Sequence, residues 1–230
     1  MGQHLLSGNP PVALTLRRSG RARRLSLRVS GLDGQVTLTV PHGVSEAEAL
    51  EFAQSRSAWL RRTLAGQPER VRVAPGVTLP LEGAMRRVVP GTGRGVRLAD
   101  GRIEVPGPEA ALAPRLRAWL RARARDRLAA ASDIHAERLG RGYARLALRD
   151  TRSRWGSCSA RGTLSYSWRL ILAPPGVLDY VAAHEVAHLA EMNHSPAFWR
   201  VVARLRPDYE TPRAWLRREG ASLHRYSFDD

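Results

Sequence analysis

The chain has 230 residues and is 43% hydrophobic, enough for a folded core, while no apolar run approaches the ~20 residues that span a bilayer. A single cysteine, Cys158, excludes an internal disulfide framework and fits a reducing compartment. The formal charge of +16 comes from 37 basic residues, all of them arginine; it suits a polyanionic partner such as nucleic acid, but the wide spread of the arginines equally describes a solvated surface.

The first residues, Met1-Gly2-Gln3-His4-Leu5-Leu6, lack a basic start followed by a long apolar stretch, so the expected compartment is the cytoplasm. Apolar and polar residues alternate through Val12, Leu14 and Leu16, then Leu25, Leu27 and Val29, then Val36, Leu38 and Val40. That period of two predicts three strands, with a turn at Gly31-Leu32-Asp33-Gly34. Ser45 followed by Glu46 and Glu48 predicts a helix start, with the helix ending near Gly66. Short strands are expected at Val71–Val73, Arg86–Val89 and Arg102–Val105. Gly91-Thr92-Gly93-Arg94-Gly95 reads as a hairpin turn, since no Gly-Lys-Ser/Thr follows to make a phosphate cradle.

Pro106, Pro108 and Pro114 mark an expected boundary between an N-terminal β-rich region, 1–106, and a C-terminal region, 107–230. A long helix then runs to Leu139 and is closed by Gly140. Leu146–Leu148 and Thr163–Leu172 read as strands, and the edge of the second is a candidate for pairing with an extended peptide. A helix is predicted from about Val177 to Met192, and Ser195-Pro196 starts another.

The chemistry lies in His184-Glu185-Val186-Ala187-His188. Residues four apart on a helix differ by only ~40° in direction, so both imidazoles leave one face and can grip one ion. A catalytic zinc takes three protein ligands and keeps one position open. His194, in the corner between the two helices, is the expected third ligand, with one Zn2+ per chain. Glu185 is the expected general base toward water. Trp155, Arg169 and Tyr209 are candidate substrate-binding residues, and Arg154 is a further candidate for oxyanion stabilisation. Phe198 and Trp199 are expected to pack beneath the metal helix. His4, His42, His135 and His224 have no partner at ligand spacing.

Trp155-Gly156-Ser157-Cys158, Trp168-Arg169-Leu170, His184–Leu189 and Asn193-His194-Ser195-Pro196-Ala197-Phe198-Trp199 together resemble the YgjP-like zinc metallopeptidases. That family has a minigluzincin-like or SprT-like catalytic core. Weaker resemblance extends to Val40-Pro41 and Trp59. It implies an α+β fold with a zincin-like core, zinc on His184, His188 and His194, Glu185 as base, and a peptide or protein substrate. One departure is Ser167, where the family often has Asn. Two other readings stand beside the peptidase: a metal-dependent hydrolase of a nucleotide phosphoanhydride, and a nucleic-acid-associated metal-binding module.

Overall fold

The computed structural model describes residues 2–31, 34–66 and 69–228. It divides into two units, Met1–Glu69 and Arg70–Asp230. The fold is α+β. No described helix is long and apolar enough to cross a membrane.

The first unit is built on the alternation seen in the sequence. Strands β1 (Gly2–Leu6), β2 (Val12–Arg18), β3 (Ser26–Val29) and β4 (Val36–Val40) form a sheet in the order β1-β2-β4-β3. β2 and β4 run parallel, and the outer pairs are antiparallel. Val12, Leu14, Leu16, Val36, Leu38 and Val40 share a core with Ala49, Ala53 and Leu60 of helices α1 (Glu46–Ser55) and α2 (Ser57–Ala65). Ser45 caps α1 by accepting from the Glu48 backbone N–H at 3.2 Å. The single helix expected to reach Gly66 is thus two, separated at Arg56. The expected turn at 31–34 includes Leu32 and Asp33, which lie outside the described residues.

The second unit begins well before the proline cluster. β5 (Val71–Arg72) precedes a sheet of β6 (Thr78–Leu81), β7 (Ala84–Gly91), β8 (Arg97–Ala99) and β9 (Arg102–Pro106), ordered β6-β7-β9-β8. Leu79, Leu81, Val88, Ile103 and Val105 share one core with Leu112, Leu116 and Leu120 of helix α3 (Leu112–Leu139). The break expected at 106 therefore falls inside a continuous apolar core, and the prolines mark only the entry to α3. Gly91–Gly95 is not a hairpin turn either. β7 pairs parallel with one side of β9 and β8 antiparallel with the other, so this loop crosses over β9.

Helix α3 buries a stripe at four-residue spacing, Leu112, Leu116, Leu120, Ala124 and Leu128, and ends at Gly140 in the left-handed conformation. A three-stranded sheet follows: β10 (Arg145–Arg149), β11 (Gly156–Cys158) and β12 (Thr163–Ser167), in the order β10-β12-β11. Trp168–Leu172 is a buried 3-10 turn rather than a continuation of the strand. Helices α4 (Pro175–Ala187), α5 (Pro196–Leu205) and α6 (Glu210–Glu219) complete the unit, and β13 (Tyr226–Ser227) pairs parallel with β5.

Candidate metal and catalytic site

Helix α4 starts with Pro175 in its first turn and packs Val177, Leu178, Val181 and Val186 into the core. It stops at Ala187, five residues short of the expected Met192. Beyond it the chain tightens into turns, with Leu189 N–H donating to Val186 O and Ala190 N–H to Ala187 O. This early end matters: His188 Nδ1 lies 2.9 Å from the Glu191 carbonyl. That bond fixes the ring with Nδ1–H as donor and Nε2 as the free lone pair.

His194 returns from the corner before α5, where Ser195 caps the helix by accepting from the Phe198 N–H. His184, His188 and His194 bring one nitrogen each within 4.8 Å of one another. His184 Nε2 and His194 Nε2 are 3.1 Å apart. Tetrahedral zinc ligands at ~2.0–2.1 Å lie ~3.3 Å apart, so the His184–His194 spacing suits two ligands of such an ion, with His188 close enough to be the third. Phe198, fully buried, sits under all three rings at 4.9, 4.4 and 4.8 Å between centroids. Trp199 flanks His184 and His194 at 5.8 and 6.0 Å. Burial, then the proximity of His188, His194 and Arg213, pushes His184 down to about 3, so its ring is neutral.

Glu185 is 4% exposed, and its Oε2 has no hydrogen-bond partner among the described residues. Burial raises its carboxyl to about 8, against a lowering influence from Arg154. Its slot exists because residue 156 has no side chain. A Cβ on Gly156 would lie 2.6 Å from Glu185 Cγ and 2.7 Å from Cδ. Cys158, on the same strand, is pushed up to about 11 by burial and by Glu185, which keeps it a thiol.

Asp179 braces α4 from its far end. It accepts from His135 at 3.0 Å and forms an ion pair with Arg206. Burial raises its carboxyl, but His135 and Arg206 together hold it below the usual carboxylate value. His135, given no role by ligand spacing, is thus a buried partner of the helix that carries the histidines.

Of the substrate-binding candidates, Tyr209 stacks on Trp199 at 5.5 Å and on Tyr180 at 6.5 Å, one ring removed from His184. Trp155 packs against His224 at 5.0 Å and against Gly220. Arg169 is committed elsewhere. It pairs with Asp150 at 2.8 and 3.3 Å and donates to the carbonyls of Leu223 and Tyr226 at 3.3 and 2.9 Å, tying down the C-terminal segment. No hydrogen bond or ring contact joins Trp155 or Arg169 to the three histidines among the described residues.

The strand edge expected on 163–172 is also relocated. β12 is paired on both sides, and the free edge beside α4 belongs to β11. Ser159 N–H donates to Thr163 O, and Ser167 N–H to Trp155 O. By antiparallel alternation, the backbone groups of Gly156 and Cys158 therefore face away from β12. Arg213, which sequence reasoning passed over, lies 4.2 Å over the Trp199 ring. Nothing in an arginine-rich sequence sets this one apart.

A family model described as YgjP-like, metallopeptidase domain, matches residues 23–219. Among solved structures, the chain is similar to the metallopeptidase zymogen of Pyrococcus abyssi abylysin. The identity is 25%, over 45% of this chain and 97% of that one, with a TM-score of 0.35. No curated protein matches.

Proposed function

Because the chain belongs to the YgjP-like metallopeptidase domain family, we propose that it is a zinc-dependent peptidase with His184, His188 and His194 as ligands and Glu185 as general base. The observation that carries this reading is the convergence of three imidazole nitrogens within 4.8 Å beside a buried carboxyl. Zinc held there supplies a Lewis acid that polarises a scissile carbonyl and lowers the pKa of water toward ~7. Glu185, neutral at pH 7 when it stands alone, ionises beside a dication. Its carboxylate then takes a proton from the attacking water and returns it to the leaving amine nitrogen. His188 is oriented by its bond to Glu191 O, and Phe198 keeps the three rings packed. The outward backbone groups of Gly156 and Cys158 offer an extended peptide a strand to pair with, next to Glu185.

The test pairs metal content with turnover. Wild type is expected to carry about one zinc per chain, His194→Ala to lose it, and Glu185→Gln to keep zinc but lose hydrolysis of an unstructured protein. A wild type that binds no zinc when supplied with it overturns the metal assignment. Full hydrolysis by Glu185→Gln overturns the base.

A further inference from the structure

Two cavities adjoin β11, one at each end. The first, of about 160 Å³, is lined by Arg149, Arg154, Gly156, Ser157 and Tyr166 among others. The second, open and of about 750 Å³, is lined by Arg141, Arg161, Ser159, His188, Leu189 and Met192 among others. Each contains two arginines and no carboxylate.

Part of the arginine in this unit is neutralised within the fold. Arg97, Arg123, Arg127, Arg169, Arg206 and Arg218 each meet an Asp or Glu. Arg141, Arg149, Arg154 and Arg161 form no ion pair within 4.0 Å among the described residues. Arg141 donates to the Leu189 carbonyl at 2.6 Å, which fixes it at the cavity wall with donors to spare. Arg154 acts on Glu185 only through its charge. Two acids nearby in sequence are engaged elsewhere: Asp150 by Arg169, and Asp133 by the Tyr143 hydroxyl. Arg149, on β10, is separated from the free edge of β11 by β12. A peptide paired with β11 would run between Arg154 at one end and Arg141 and Arg161 at the other. Acidic side chains match that lining by charge and by the fork geometry of guanidinium, and basic ones are repelled.

We infer that the cleft along β11 selects polypeptides carrying Asp or Glu on both sides of the scissile bond, with Arg154 at one end and Arg141 and Arg161 at the other. The inference rests on the peptidase reading in taking a polypeptide as the occupant of the strand edge.

The experiment measures binding and cleavage separately. Zinc-supplemented Glu185→Gln protein is titrated by fluorescence anisotropy with three peptides of one backbone sequence, bearing Glu, Gln or Lys at the flanking positions. Wild type is assayed for cleavage of the same set. The Glu peptide is expected to bind about tenfold or more tighter than the Gln peptide, with the Lys peptide weakest and the preference shrinking as salt rises. Arg161→Ala and Arg154→Ala should each reduce the preference. Arg161→Glu should move it toward Lys, while Arg161→Lys, which keeps the charge, should retain most of it. Circular dichroism on each variant separates lost recognition from lost folding. Equal binding of the three peptides overturns the inference, as does tighter binding of a single-stranded oligonucleotide than of the Glu peptide. Cleavage without charge preference sinks the acidic specificity and leaves the peptidase. Acid-selective binding with no cleavage of any peptide by zinc-loaded wild type does the reverse.

Discussion

Gly156→Ala isolates the contact that seats Glu185. The added methyl would lie 2.6 Å from Glu185 Cγ and 2.7 Å from Cδ, about 1 Å inside the ~3.5–4.0 Å optimum for carbon pairs. Gly156 is not in the left-handed region of backbone space, so the whole cost comes from this contact. Cγ sits close to the α4 backbone, so a rotation of the carboxyl end alone does not relieve it. Relief requires a new Glu185 rotamer or a shift of α4 from β11. Overpacking of this kind costs ~1–3 kcal/mol, and a catalytic group displaced by ~1 Å loses about 100-fold in rate. Zinc content should persist, since the atoms nearest the new methyl all belong to Glu185. Urea unfolding followed by tryptophan fluorescence suits the stability measurement, because Trp119, Trp155, Trp168, Trp199 and Trp215 all lie in the second unit. The decisive control is the double variant. In a Glu185→Ala background the clashing atoms are gone and the methyl fills vacated space, so Gly156→Ala should cost nothing or stabilise. A coupling of ~1–3 kcal/mol between the two positions is expected. Equal destabilisation by Gly156→Ala in both backgrounds would refute the slot argument.

The half-buried Asp179 brace gives a pH dependence. Asp179 titrates below its unfolded value, so its stabilisation is present above the unfolded pKa of ~3.9 and is lost as pH falls through the folded one. Asp179→Asn should lower Tm at neutral pH and flatten the acid side of a Tm-against-pH curve; an acid limb identical to wild type counts against the brace. Arg169→Ala frees Asp150 and the carbonyls of Leu223 and Tyr226, and should cost about 2–3 kcal/mol with KM unchanged. A raised KM in folded Arg169→Ala protein would restore a substrate role. Phe198→Ala removes the ring beneath three imidazoles and should cost ~3–5 kcal/mol and weaken zinc retention against a chelator; unchanged zinc affinity would mean that the Phe198 ring is not what holds the histidines.

Strands β2, β3 and β4 were legible because one face is buried in β2 and β4 and half-buried in β3, and the period of two repeats along each. The Ser45 and Ser195 caps and the Gly140 stop were legible because capping is a local hydrogen-bond problem with few solutions. What failed depended on distant partners. The chain from Thr163 to Leu172 reads as one apolar strand, yet its second half winds into a 3-10 turn buried among core residues of the second unit. A short apolar run carries no periodicity that separates these outcomes. Proline density at 106–114 looked like a linker, but Leu112, Leu116 and Leu120 bind the following helix to the preceding sheet through one core. Composition registers the prolines and is blind to that packing.

The candidate site divides along the same line. The histidines were legible since four-residue spacing on a helix is itself a geometric statement, and a corner after the helix brings a third ring back to the first two. The carboxyl beside them came with the spacing. Gly156 meets Glu185 across 29 residues of sequence, where spacing says nothing. Arginine carried the least information of all. With 37 of them in the chain, identity alone separates none. Arg169 lies next to a recognisable tryptophan and drew a substrate role, yet its guanidinium is consumed by Asp150 and two carbonyls. Arg141, Arg154 and Arg161 have no such distinction in sequence and stand out by lining cavities that no carboxylate lines. The informative property of a charged residue in such a chain is therefore its surroundings, and those are a tertiary quantity. For the same reason the net charge alone does not choose between nucleic acid and acidic polypeptide. The choice depends on whether unpaired guanidinium groups lie along a strand edge that a polypeptide can extend.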